Sequence, residues 1–416
     1  MDRFLYPIRT QEAGAVWLGV ESNREIVKGR MRMGLLRRVA AVVGLLALGW
    51  TTGCAGFWVA VNNSNGSGST ANDYVYVANA GTSAATATLT GFAVGTATLT
   101  AVPGSPYTLG FTPVSLAINP ANSILFVSGH TGTGIGVIYA FSIGAGGALS
   151  ALNNGNALSL SGEEISMDIS PDGQWLMGLN ADNTSLDEYG IVYNTNTQVL
   201  RLTGPSAMPY YNLVTGTIGA SQVKVAPDGD FVFASLGTAG DLVYQLNTTT
   251  GVLTALSPLP PISTTTSDNA LAVSSGSSYL YIARSGTNGG LAVYTISSSG
   301  ALQEVSGSPL AAGSQPSSVV ANTSGTDIYV ANQNSGTISE YGVVTSTGAV
   351  SLLSPATIAT VSAPWALAVD SSGDYLLTIS QTGSPNLTMY SYTAGQLTFS
   401  TSSPTGTGPV AIAATH

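Results

Sequence analysis

The chain has 416 residues, of which 44% are hydrophobic and only 8% charged, with 50 glycines and a single cysteine. So much apolar content excludes a disordered polymer, and one cysteine excludes an internal disulfide. Eight of the 11 cations precede residue 40, leaving Arg201, Lys224 and Arg284 against 17 acids after Cys54. That excludes a nucleic-acid partner, whose phosphates need several cations to displace their counterions.

Residues 1–30 are polar, lack repeat character and read as an upstream extension, with Met31 or Met33 as alternative starts. Residues 31–53 read as a lipoprotein signal peptide. Arg32, Arg37 and Arg38 form a basic region, and Val39 to Trp50 form an apolar run too short to span a bilayer comfortably. Thr51–Cys54 supplies the small residues of a cleavage site, and Cys54 is the expected site of lipidation. The expected location is therefore extracytoplasmic, in the periplasm or at the cell surface, with the membrane contacted through an N-terminal lipid. Residues 54–72, rich in Asn, Gly and Ser, read as a flexible tether.

Residues 73–416 carry an internal repeat. The phrase at Tyr74–Asn79 (YVYVAN) returns from Ile124, Trp175, Phe231, Tyr279, Ile328 and Tyr375. Seven copies about 50 residues apart predict a propeller of four-stranded blades. Each full copy opens with a short apolar strand, such as Val114–Ile118, followed by a turn such as Pro171-Asp172-Gly173 or Pro227-Asp228-Gly229. Gly supplies a positive φ there and Asp bonds nearby amides. The repeated phrase is the second strand, a Gly-led segment such as Gly290–Ile296 the third, and an outer strand ends near Ser-Pro, as at Ser105-Pro106 and Ser308-Pro309. Proline fits a strand edge or terminus. The first copy lacks its innermost strand, while Pro409–Thr415 is an innermost strand with nothing after it. The expected fold is an all-β, seven-bladed propeller of antiparallel blades, closed by the C-terminal strand completing the first blade; closure removes an exposed sheet edge.

The YVAN phrase, the third strand at Gly336–Tyr341 (GTISEY) and the Gly-Ala-Leu turn at 300–302 resemble the YVTN-type and lactonase-like, or 6-phosphogluconolactonase-like, seven-bladed propellers. The resemblance covers residues 73–416. It implies a lactone hydrolase using His, Arg and acidic side chains near the starts of the innermost strands, able to polarise a carbonyl and activate water. Its participants here would be His130, Glu164 and Arg284.

Aligned by repeat, however, those starts offer Ser115, Ile165, Gln222 and Ser317, none an acid or base at neutral pH. The first expectation is therefore a lipid-anchored protein that binds a protein, glycan or small-molecule ligand on the funnel face. Lactone hydrolysis is the alternative. Candidate ligand-binding residues are Trp365, Tyr210, Tyr211, Gln222 and Asp268; Trp365 could equally plug the funnel as core. His130 reads as a general base or a solvated loop residue, and Arg284 as a carboxylate ligand or a loop cap. Asp168 and Lys224 share a repeat position that is Ala117, Ala272, Val320, Ala368 and Ala413 elsewhere, which predicts a structural ion pair across neighbouring blades. The stretch Asn180–Glu188 offers oxygen atoms but reads as an acidic surface turn. The sequence carries no zinc spacing, P-loop or nucleotide fingerprint, so no cofactor or metal is expected.

Overall fold

A computed structural model describes residues 73–158, 163–209, 217–219, 221–393 and 396–416. The signal, the tether, Cys54, Tyr210 and Tyr211 lie outside the described residues.

The described chain forms seven antiparallel sheets of four strands, the first with a short fifth strand attached. The innermost strands of blades 2 to 7 are Thr112–Ile118, Glu164–Ile169, Gln222–Val225, Thr266–Val273, Pro316–Ala321 and Ala366–Val369. Blade 1 takes its innermost strand from Pro409–Ala414, which pairs antiparallel with Tyr74–Asn79 in the register Tyr76↔Ala413. Thr415 extends the join: its N–H donates to Tyr74 O at 2.9 Å and its Oγ1 accepts the Tyr74 N–H at 2.9 Å. The ring closes as the repeat predicts.

The repeated phrase is apolar throughout because second strands are covered on both faces. Successive side chains point to opposite sides of a strand. Val75 and Val77 therefore pack towards blade 7 with Leu377 and Ile379, while Tyr76 and Ala78 pack towards blade 2 with Leu125 and Val127. The same division recurs around the ring, placing a buried apolar cluster between every pair of neighbouring blades. The turns follow their sequence chemistry. Gly229 has φ +81°, and the Asp228 carboxylate accepts the Asp230 N–H at 3.0 Å.

Polar side chains brace blade to blade near the axis. Ser115 Oγ accepts the Met167 N–H at 3.1 Å, and Ser166 Oγ accepts the Val223 N–H at 3.1 Å. Gln222 Oε1 accepts the Leu271 N–H at 2.5 Å, and Asn269 Nδ2 donates to Pro316 O at 2.7 Å. Ser318 Oγ accepts the Leu367 N–H at 3.2 Å, and Trp365 Nε1 donates to Val410 O at 3.0 Å. The remaining junction, blade 1 to blade 2, is spanned where the His416 N–H donates to Asn122 Oδ1 at 3.1 Å. Each such bond contributes about 1 kcal/mol.

Candidate functional site

The innermost strands enclose a central channel of about 880 Å³. Its mouth lies where second strands end and innermost strands begin. Backbone pairing fixes which residues share that level: His130 opposite Thr112, Ser285 opposite Ser267, Gln333 opposite Gln315, and Ala181 opposite Glu163. Of these, Thr112, Ser267, Ser285, Gln315 and Gln333 line the channel. His130 and Glu163 hold the same level in blades 2 and 3, though neither is itself among the residues lining the channel.

They also meet each other. His130 Nδ1 lies 3.2 Å from Glu163 Oε2, with both side chains about one-third to one-quarter open to solvent, at 35% and 25%. No aligned hydrogen bond joins the two side chains, as is common for acid–base pairs before substrate tightens them. Beneath it, Ser128 Oγ donates to Glu164 O at 2.7 Å and accepts the Glu164 N–H at 3.0 Å, fastening blade 2 to blade 3.

One residue along each strand, the side chains point towards the opposite neighbouring blade. Glu164 is fully buried, with Oε1 accepting the Tyr189 hydroxyl at 2.7 Å. Burial pushes its carboxyl up to about 8, and neighbouring Asp187 adds to the shift. It is thus protonated at neutral pH and out of reach of the channel. Asp268 pairs with Arg284 in the corresponding register of blade 5. Arg284 Nε reaches Asp268 Oδ1 at 2.5 Å and Nη2 reaches Oδ2 at 2.9 Å, with Tyr294 Oη 3.4 Å from Nη2. All of this is buried, beside Asp241, whose carboxyl is held far above the usual range by burial and by the Asp268 charge. Asn79 and Asn332 hold the position of Arg284 in blades 1 and 6. Each is buried and fastens a loop, through Gly406 N–H at 3.0 Å and Gly313 N–H at 3.0 Å.

The expected trio of His130, Glu164 and Arg284 is therefore not assembled. Only His130 lies at the level of the mouth, Glu163 rather than Glu164 is the carboxylate it meets, and Arg284 and Asp268 form an interior ion pair. Gln222 lines the channel, but its carbonyl oxygen is committed to Leu271. Trp365 also lines it, half-buried, with its indole N–H committed to Val410. Asp168 and Lys224 do face each other across blades 3 and 4, at 3.8 Å and partly exposed rather than buried. In the Asn180–Glu188 stretch, Asp187 and Glu188 belong to the strand Ser185–Asn194 and are buried, so the stretch is not wholly a surface turn.

Residues 241–359 match the family model described as "Lactonase, 7-bladed beta-propeller". The fold is that of the lactonase-like propellers. A candidate 6-phosphogluconolactonase of Bacteroides uniformis superposes with a TM-score of 0.66 at 14% identity, covering 82% of this chain and 98% of its own. The periplasmic gluconolactonase of Pseudomonas aeruginosa superposes at 0.60 with 16% identity, over 83% of this chain and 99% of its own. A functionally unknown protein of Desulfotomaculum acetoxidans gives 0.63 at 14% identity, over 83% and 99%. No curated protein matches by sequence. At these identities the structural likeness concerns the fold, which lactonase-like propellers share without sharing chemistry. The matched segment contains Asp268 and Arg284 but neither His130 nor Glu163.

Proposed function

We propose that this lactonase-like propeller hydrolyses a lactone at the channel mouth, with His130 as general base and Glu163 as the group that orients it. The observation carrying the reading is the 3.2 Å His130–Glu163 contact at positions whose counterparts in other blades line the mouth. The family-model match and the lactonases among the superposed structures support it.

The chemistry needs no more than the dyad and water. The Glu163 carboxylate favours a proton on Nδ1, leaving the Nε2 lone pair to take a proton from water as its oxygen attacks the lactone carbonyl. The tetrahedral intermediate collapses by breaking the bond to the ring oxygen. That oxygen takes the proton from the imidazolium, and the hydroxy acid leaves, releasing its carboxyl proton to solvent as the carboxylate. Arg201 lies on the outer strand of blade 3 and Arg284 is bound to Asp268, so no free arginine among the described residues serves a phosphate group at the mouth. An unphosphorylated lactone fits better.

A purely ligand-binding role would lean on aromatic residues, but the Trp365 indole is held by Val410. The proposal keeps the extracytoplasmic location, supported by the sequence of residues 31–54. The test is pH-stat hydrolysis of a panel of sugar and acyl-homoserine lactones by the full chain. Turnover of at least one unphosphorylated lactone is expected; absence of turnover from folded protein would leave the fold without this chemistry.

A further inference from the structure

Among the described residues lining the channel, Lys224 is the one charged side chain. Its ammonium lies 3.8 Å from Asp168 Oδ2, beyond hydrogen-bonding reach. That oxygen is already occupied, accepting the Val225 N–H at 2.9 Å. Asp168 thus offsets the charge of Lys224 without satisfying its three N–H donors. Five of the other blades carry Ala or Val at this level, Ala117, Ala272, Val320, Ala368 and Ala413, and the one other titratable group near the pair among the described residues is the imidazole of His416, at the end of the closing strand. No other charged side chain among the described residues lines the channel, and Ser166, two residues back along the strand from Asp168, adds a hydroxyl to its wall.

We infer that Lys224 forms a carboxylate-binding site within the bore, taking a small hydroxylated monocarboxylate. A single loosely held cation beside a carboxylate balances one negative charge; a phosphate dianion at the same place would face Asp168 with a charge to spare. The site is separate from the dyad. Glu163 precedes Asp168 by five residues on one extended segment, roughly 16 Å at the rise of a strand. Glu163 immediately precedes the strand Glu164–Ile169 and Asp168 lies near its other end, so the two places sit at opposite ends of that strand. The inference stands whether or not the mouth is catalytic.

Calorimetric titration of the full chain with gluconate, with glucose and inorganic phosphate as controls, tests it. Gluconate is expected to bind at least tenfold more tightly than either control. Lys224→Met, with its melting checked, should weaken gluconate at least tenfold and leave glucose unaffected. Asp168→Asn should tighten gluconate a few-fold by removing the competing carboxylate. A structural ion pair alone would lower the melting temperature in both variants and give no such opposite changes in affinity. Gluconate binding no tighter than glucose or phosphate, or unchanged in folded Lys224→Met, would overturn the assignment. Should Lys224→Met not fold, unchanged or weaker gluconate binding by Asp168→Asn would overturn it.

Discussion

Asp268 holds Arg284 by two parallel bonds, 2.5 Å from Nε and 2.9 Å from Nη2, between strands of blade 5 and out of contact with solvent. Removing one partner of a buried pair strands the other charge, at a cost of about 3–5 kcal/mol. Arg284→Gln should therefore destabilise the propeller by that amount in urea unfolding. Arg284→Lys should not rescue it, since an ammonium cannot supply the two-pronged geometry. A drop below about 1 kcal/mol for Arg284→Gln would show that the pair is dispensable.

Glu164 gives a pH signature. Its native carboxyl titrates at about 8 because it is buried, whereas the unfolded chain releases that proton near the ordinary glutamate value of 4.5. The native state binds more protons between those values, so this group's contribution to unfolding free energy falls as pH rises from about 4.5 to 8. Glu164→Gln cannot titrate. Its melting temperature should match wild type near pH 4.5 and exceed it progressively towards pH 8. Curves that stay parallel would place the native carboxyl near its unfolded value. Asp73 shifts in the same direction, up to about 6, through burial and then the charges of Asp370 and Asp374. Glu164→Gln should therefore keep part of the slope, from Asp73 and from the buried Asp241.

Trp365 ties blade 7 to the closing strand through one hydrogen bond to Val410. Trp365→Phe keeps most of the apolar surface and removes the donor. A loss of about 1 kcal/mol is expected in equilibrium unfolding, with no loss of lactone turnover. A large loss of turnover with unchanged stability would return this residue to the binding machinery.

Cys54 is the predicted lipid acceptor. Cys54→Ser should abolish incorporation of labelled palmitate by cells expressing the full chain and release the protein from the membrane fraction. Unchanged labelling would place the lipid elsewhere or remove the lipoprotein proposal.

The architecture was legible because the repeat encodes it directly. Seven apolar second strands and an orphan innermost strand at 409–415 leave one way to close the ring, and Tyr76↔Ala413 is that closure. The Asp168–Lys224 pair was legible for a related reason, as two charges at a position that is small and apolar elsewhere. The site was harder because function turns on strand parity. Glu163 and Glu164 are adjacent, yet one meets His130 and is partly open to solvent, while the other is buried against Tyr189. Arg284 sits one register step from the mouth position of His130, which is enough to bury it. Counting from the end of the repeated phrase separates the two: Ala80, His130, Ser285 and Gln333 fall on one side, and Asn79, Arg284 and Asn332 on the other. The polar residues along the bore gave no sequence sign of their role, since Ser115, Ser166 and Gln222 brace backbone groups about 50 residues away.

The account rests most on the dyad, and kcat/KM for hydrolysis of glucono-δ-lactone by the full chain and its variants tests it most directly. His130→Ala should lower kcat/KM by about 10²–10⁴-fold, the range contributed by a positioned base. Glu163→Gln should lower it less, mostly in kcat, while Glu164→Gln leaves it within a few-fold of wild type. Equal activity in His130→Ala, or a loss in Glu164→Gln that exceeds the loss in Glu163→Gln, would contradict the assignment of the His130–Glu163 pair.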